Sequence, residues 1–156
     1  MTRLKYRNQR SSLRWLGSAL ADLVDAEAVD VVTWAPTTGS RVRERGFDHA
    51  ELIARRVAGR TGVPVRSLLD RGPGPAQTGR SEVERHSGPS FLPRRSLCGS
   101  SVLLIDDVMT TGSTLSAAAR ALRTAGASRV RGLVVAHRPW SGRRHQEPEP
   151  NRLRAV

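Results

Sequence analysis

Cysteine is almost absent from this chain: Cys98 is the only one among 156 residues. A single thiol forms no internal disulfide framework and no four-cysteine zinc site, which excludes stapled secreted scaffolds and zinc ribbons. Lysine occurs only as Lys5, so the glycine-framed lysine of a Walker-type phosphate loop is missing too. Aromatic residues make up 4%, and Trp15, Trp34 and Trp140 are scattered rather than interleaved with basic clusters, which argues against a base-stacking platform. No apolar run reaches the length of a secretory signal core or a membrane span. Leu13, Leu16, Leu20 and Leu23 instead suggest an amphipathic helix over about 9–25, with no membrane partner and a cytoplasmic location expected. What is abundant is arginine, which carries the net charge to +12. It is spread along the whole chain, so attraction to a nucleic-acid backbone is an alternative reading rather than the first one. A chain of this length buries one sizeable core.

The most informative stretch is VLLIDDVMTTGSTL at 102–115. Val102–Ile105 is apolar without alternation and short, the pattern of a strand buried on both faces. Asp106 and Asp107 are then expected where that strand leaves the sheet, because unpaired buried carboxylates are costly. Thr110, Thr111, Gly112, Ser113 and Thr114 form a hydroxyl-rich turn. Leu115, Ala118, Ala119 and Leu122 give the following helix one apolar face, Gly126 ends it, and Val130–Ala136 reads as a second strand. The unit is β-α-β, which implies a parallel sheet whose ligands bind beyond the strands' carboxyl ends. A helix N-terminus with added hydroxyl donors suits a phosphate, and two acids beside it suit hydroxyl groups or a cation. A sugar phosphate with a free vicinal diol satisfies both.

These residues resemble the phosphoribosyl pyrophosphate signature of type I phosphoribosyltransferases. LKY at 4–6, RVRERGFDHAELIA at 41–54, QTGRSEVER at 77–85 and the signature itself follow in the order seen in the ComF-like subfamily. The N-terminal zinc ribbon common in that subfamily is absent. The resemblance, which covers about residues 4–138, implies a Rossmann-like α/β fold with a mostly parallel central sheet flanked by helices and a flexible hood. It implies that Asp106 and Asp107 meet the ribose hydroxyls and that Thr110–Thr114 receive the 5′-phosphate. Thr38, Gly39, Ser40, Arg41 and Arg45 fall where such proteins place a pyrophosphate loop, and Arg80 and Arg85 belong to the hood. Magnesium (Mg²⁺) is the implied cofactor, with phosphoribosyl pyrophosphate or a nucleoside monophosphate as ligand. The resemblance also allows a homodimer, and leaves open a sensor without turnover or an accessory factor in DNA uptake.

The remaining elements follow from periodicity and punctuation. Val29–Trp34 reads as a strand, 35–46 as a loop, and Phe47, Ala50, Ala54, Val57 and Ala58 as one face of a helix ending near Gly59–Gly62. Val63–Leu69 reads as a further strand. The excursion 71–93, opened by glycine and proline, is the expected hood, with Gln77 and Thr78 beside its arginines; His86 reads as a solvated loop residue. One domain is expected over 1–139, with a disordered tail at 140–156.

Overall fold

The computed structural model describes residues 15–72 and 89–137. Its elements in chain order are a helix α1 covering 15–21, a 3₁₀ turn at Ala26–Ala28, and strand β1 (Val31–Trp34). Helices α2 (Gly39–Arg45) and α3 (His49–Thr61) follow, then β2 (Leu69–Arg71), β3 (Phe91–Pro93), β4 (Ser101–Met109), α4 (Ser113–Thr124) and β5 (Arg129–His137). The central sheet has the order β1-β4-β5, and both pairings are parallel. The expected α/β architecture with a mostly parallel sheet is therefore the observed one.

β4 is central because it is apolar on both faces. Leu103 and Ile105 pack with Ile53, Ala54 and Val57 of α3, whereas Val102 and Leu104 pack with Ala117, Ala118 and Leu122 of α4. Alternate side chains thus enter two cores, the arrangement a parallel strand covered by helices requires. Helix α1 closes over α3 at Gly17, where an added Cβ would lie 2.9 Å from the Cβ of Arg56. Helix α3 ends as expected at Gly62, in the left-handed conformation at φ 76°.

Several elements differ from the sequence expectation, each for a physical reason. The span 63–69 forms no regular strand: Val65 makes one parallel bridge to Val32, flanked by Val32 N to Pro64 O at 2.8 Å and Arg66 N to Val32 O at 2.9 Å. Pro64 has no N–H to extend that ladder. The regular strand is instead Leu69–Arg71, paired antiparallel with Phe91–Pro93, so the end of the supposed excursion is β3. The expected loop 35–46 contains α2, capped by Thr38 and stopped by Gly46 at φ 79°. Helix α1 ends at 21 rather than 25, and Leu23 lies beyond it, 74% exposed, so it is no part of the buried face. Leu13 lies outside the described residues, as do Gln77, Thr78, Arg80, Arg85 and His86 of the expected hood and the tail 140–156.

Candidate functional site

β4 continues in register with β5 past the apolar run, pairing Asp106 with Val134, Val108 with Ala136 and Met109 with His137. The two acids therefore stand inside the C-terminal half of the strand and not after it. Ladder hydrogen bonds hold the backbone there, and Asp106 is buried. Its carboxylate accepts the N–H of Asp107 at 2.9 Å, and Oδ1 of Asp107 accepts that of Val108 at 2.8 Å. Burial, with Asp107 and Asp48 as like-charged neighbours, pushes the Asp106 carboxyl up to about 6 despite the backbone bond that opposes the shift. The pleat puts Asp106 on the α4 side with Leu104, and Asp107 on the α3 side with Ile105.

The chain leaves β1 to bridge Val65 on one side and returns as β4 on the other. The order thus reverses between β1 and β4, and the crevice at such a reversal is where open α/β sheets bind ligands. A cleft with about 520 Å³ of empty space, part of it open to solvent, lies at that point. Ala35 and Thr37 from the β1 end, Asp106, Asp107 and Val108 from the β4 end, and Thr114 of α4 line it. Its basic wall is Arg41 and Arg45 of α2 with Arg71 of β2, and the first turn of α3 contributes Asp48, His49 and Ala50.

Arg71 is anchored from two directions. Its Nη1 donates to the carbonyl of Pro36 at 3.1 Å, and its guanidinium stands 5.4 Å over the Phe91 ring. Burial, and then the neighbouring Arg41, lower its pKa, while Asp106 and Asp48 oppose that shift. Cations gathered in one cleft repel each other, an arrangement that an anion would relieve.

Of the residues singled out from sequence, Asp106, Asp107, Thr114, Arg41 and Arg45 share the cleft. Thr110, Thr111, Gly112 and Ser113 adjoin it without lining it. Gly112, at the N-cap of α4, takes φ 75° and offers no side-chain cap; Thr111 Oγ1 donates to Ser113 Oγ at 3.1 Å and accepts the Ser113 N–H at 3.4 Å. Thr38, Gly39 and Ser40 do not line the cleft either: Thr38 caps α2, and Thr37 takes the place expected of it. Asp48, His49 and Arg71 escaped the sequence reading. Asp48 could have been found, because an aspartate followed three residues later by Glu51 ahead of an apolar helix face is a helix-start pattern, and Asp48 does cap α3.

A cleft pairing acids with arginines beside a helix N-terminus, on a parallel sheet, is an α/β arrangement whose chemistry suits a phosphate ester. The chain belongs to the phosphoribosyl transferase domain family, whose model matches residues 42–152. It is 35% identical over 130 residues to an adenine phosphoribosyltransferase of Mycobacterium marinum, covering 81% of this chain and 63% of that protein. The chain thus spans less than two thirds of that relative. Among solved structures, glutamine phosphoribosylpyrophosphate amidotransferase from B. subtilis, complexed with ADP and GMP, superposes with a TM-score of 0.59 at 26% identity. That match covers 81% of this chain and 26% of the other. A purine phosphoribosyltransferase from Pyrococcus horikoshii shares the fold, with a TM-score of 0.57 at 20% identity over 82% of this chain and 75% of its own.

Proposed function

We propose that this protein binds phosphoribosyl pyrophosphate in the β1–β4 cleft and transfers its ribosyl 5-phosphate to a nitrogen nucleophile, releasing pyrophosphate. The observation that carries the reading is the sharing of one cleft by Asp106, Asp107 and Thr114 with Arg41, Arg45 and Arg71. Carboxylates accept hydrogen bonds from the vicinal diol, and the three guanidinium groups take pyrophosphate oxygens, bidentately where geometry allows. The turn Thr110–Thr114 and the N-terminus of α4 receive the 5′-phosphate, with Gly112 at the cap position offering no side chain of its own in the way.

In the transfer, the bond from the sugar's anomeric carbon to pyrophosphate breaks and a bond from that carbon to nitrogen forms, with a proton leaving the nitrogen. Positive charge grows on the ring and negative charge on the departing pyrophosphate. The arginine wall stabilises the second, and the two aspartates hold the ring in place. The donors suit Mg²⁺, since Asp106 and Asp107 offer hard carboxylate oxygens, yet no group of three or more His, Cys, Asp or Glu among the described residues forms a metal cage. An ion carried by pyrophosphate and water, with those aspartates beside it, fits that donor set, and when bound it supplies further charge neutralisation on the leaving group. Nucleobases are the first acceptors to consider, adenine before others because of the relatives' activity, with nucleoside monophosphates as products.

Calorimetric titration with phosphoribosyl pyrophosphate and Mg²⁺, followed by a pyrophosphate-release assay across nucleobases, tests the reading. Binding without release for any acceptor would favour a sensor. Joint replacement of Asp106→Asn and Asp107→Asn is expected to weaken phosphoribosyl pyrophosphate far more than inorganic phosphate, and equal loss for both would overturn the assigned roles. The ComF-like alternative, an accessory factor that binds nucleic acid, draws on the net charge of +12. It requires an affinity that ignores sequence and falls steeply with salt.

A further inference from the structure

We infer that His49 is the positioning residue for Asp107, fixing the carboxylate that receives the sugar diol. The inference rests on the proposed ligand. His49 is the first residue of α3, and its Nδ1 stands 3.3 Å from Oδ2 of Asp107. Both side chains are shielded, at 19% and 33% exposure, so the attraction is screened less than at an open surface. The other ring nitrogen, Nε2, is buried with no hydrogen-bond partner among the described residues.

Those facts choose the tautomer. A proton on Nε2 would leave that N–H unpaired and buried, and would turn the Nδ1 lone pair toward a carboxylate. A proton on Nδ1 turns an attractive N–H toward Oδ2 and leaves only an unpaired acceptor at Nε2. Carboxylate neighbours fix the tautomer of histidines in this way. With Oδ1 held by the Val108 N–H and Oδ2 facing His49, both oxygens of Asp107 have a protein group that sets their direction. The remaining lone pairs then face a ligand in a fixed orientation. The position of His49 is itself fixed: Asp48, its neighbour, caps α3, and the ring packs at 5.2 Å, tilted by 35°, against Phe47.

The test exploits side-chain geometry. Asparagine places its amide where Nδ1 stands, and glutamine places its amide nearer Nε2. Affinities of wild type, His49→Ala, His49→Asn and His49→Gln for phosphoribosyl pyrophosphate and for inorganic pyrophosphate, each with Mg²⁺, are measured by calorimetry alongside thermal melts. His49→Ala should weaken phosphoribosyl pyrophosphate about threefold to tenfold, because the 3.3 Å contact to Oδ2 acts on the ligand only through Asp107, and leave pyrophosphate within about twofold. His49→Asn should recover most of the loss and His49→Gln should not. Equal loss for both ligands, no loss, or rescue by glutamine rather than asparagine would overturn the inference. If His49→Ala does not fold, the asparagine-to-glutamine comparison alone decides. A wild type that binds pyrophosphate but not phosphoribosyl pyrophosphate would instead overturn the proposed function and this inference with it.

Discussion

Asp48 Oδ2 accepts the backbone N–H of Thr37 at 2.9 Å while its Oδ1 accepts that of Ala50 at 3.0 Å, so one carboxylate joins the loop after β1 to the first turn of α3. Asp48→Ala removes both the cap and the tether. A lost N-cap costs about 0.5–2 kcal/mol, and an unpaired buried N–H adds about 1–3 kcal/mol. The expected outcome is a loss of roughly 2–4 kcal/mol in denaturant unfolding, with Asp48→Asn losing less because its amide oxygen still accepts. A change below half a kcal/mol would show the tether to be dispensable.

Asp106 makes the site costly to fold at neutral pH. The folded protein keeps its proton up to about 6, whereas the unfolded chain releases it near 3.8, so the folded state binds more protons between those values. Stability therefore falls as pH rises through that window, and the penalty, on the order of 3 kcal/mol, is complete above it. Asp48 shifts in the same direction, by burial first. Asp106→Asn keeps the acceptor for the Asp107 N–H and removes the charge. It should be more stable than wild type at pH 7.5 and lose that advantage by pH 4 in paired thermal melts. Ligand affinity in the wild type should rise through pH 6, as the carboxylate that accepts the diol forms.

The β4-α4-β5 unit was legible because its signals are local: an unbroken apolar run, a helix face at i, i+3, i+4 and i+7, and Gly126 at its end. Helix α2 was not, since GSRVRER offers one apolar residue and buries none, leaving no periodicity to read. The acid pair was recognised from spacing, but its place inside the strand depends on the ladder to β5. His49 and Arg71 owe their roles to Asp107 and to Pro36 and Phe91, contacts that exist only once the chain has folded. Chemistry confined to one turn could be read from its own residues, whereas chemistry assembled from distant elements was reached only where the family resemblance placed it, as for Arg41 and Arg45.

Gly17 tests the packing of α1 on α3 without touching the cleft. Its Cβ position falls 2.9 Å from Cβ and 3.0 Å from Cγ of Arg56, near the base of that side chain, where little yields. Gly17→Ala gains about 1 kcal/mol in helix propensity and loses about 1–3 kcal/mol to overpacking. The net expected outcome is a lower melting temperature, with the affinity for phosphoribosyl pyrophosphate unchanged. A higher melting temperature would mean that the two helices separate at small cost.

Arg71 is the cleft's most constrained cation, and its replacement separates binding from stability. The hydrogen bond to Pro36 and the stacking on Phe91 favour the folded state, together by about 1–2 kcal/mol. Burial and the nearby Arg41 act against it, as the lowered pKa records. With these opposed, Arg71→Met should change unfolding free energy by less than about 1 kcal/mol, because methionine fills much of the stem's volume and takes no charge out of water. Pyrophosphate loses one desolvated guanidinium partner, so its affinity should fall about tenfold to hundredfold. Arg71→Lys keeps the charge but not the planar fork, and should fall between the two. The same calorimetric titration with pyrophosphate and Mg²⁺ reads all three proteins. Unchanged affinity in Arg71→Met would confine Arg71 to bracing the β1 loop and leave the leaving group to Arg41 and Arg45.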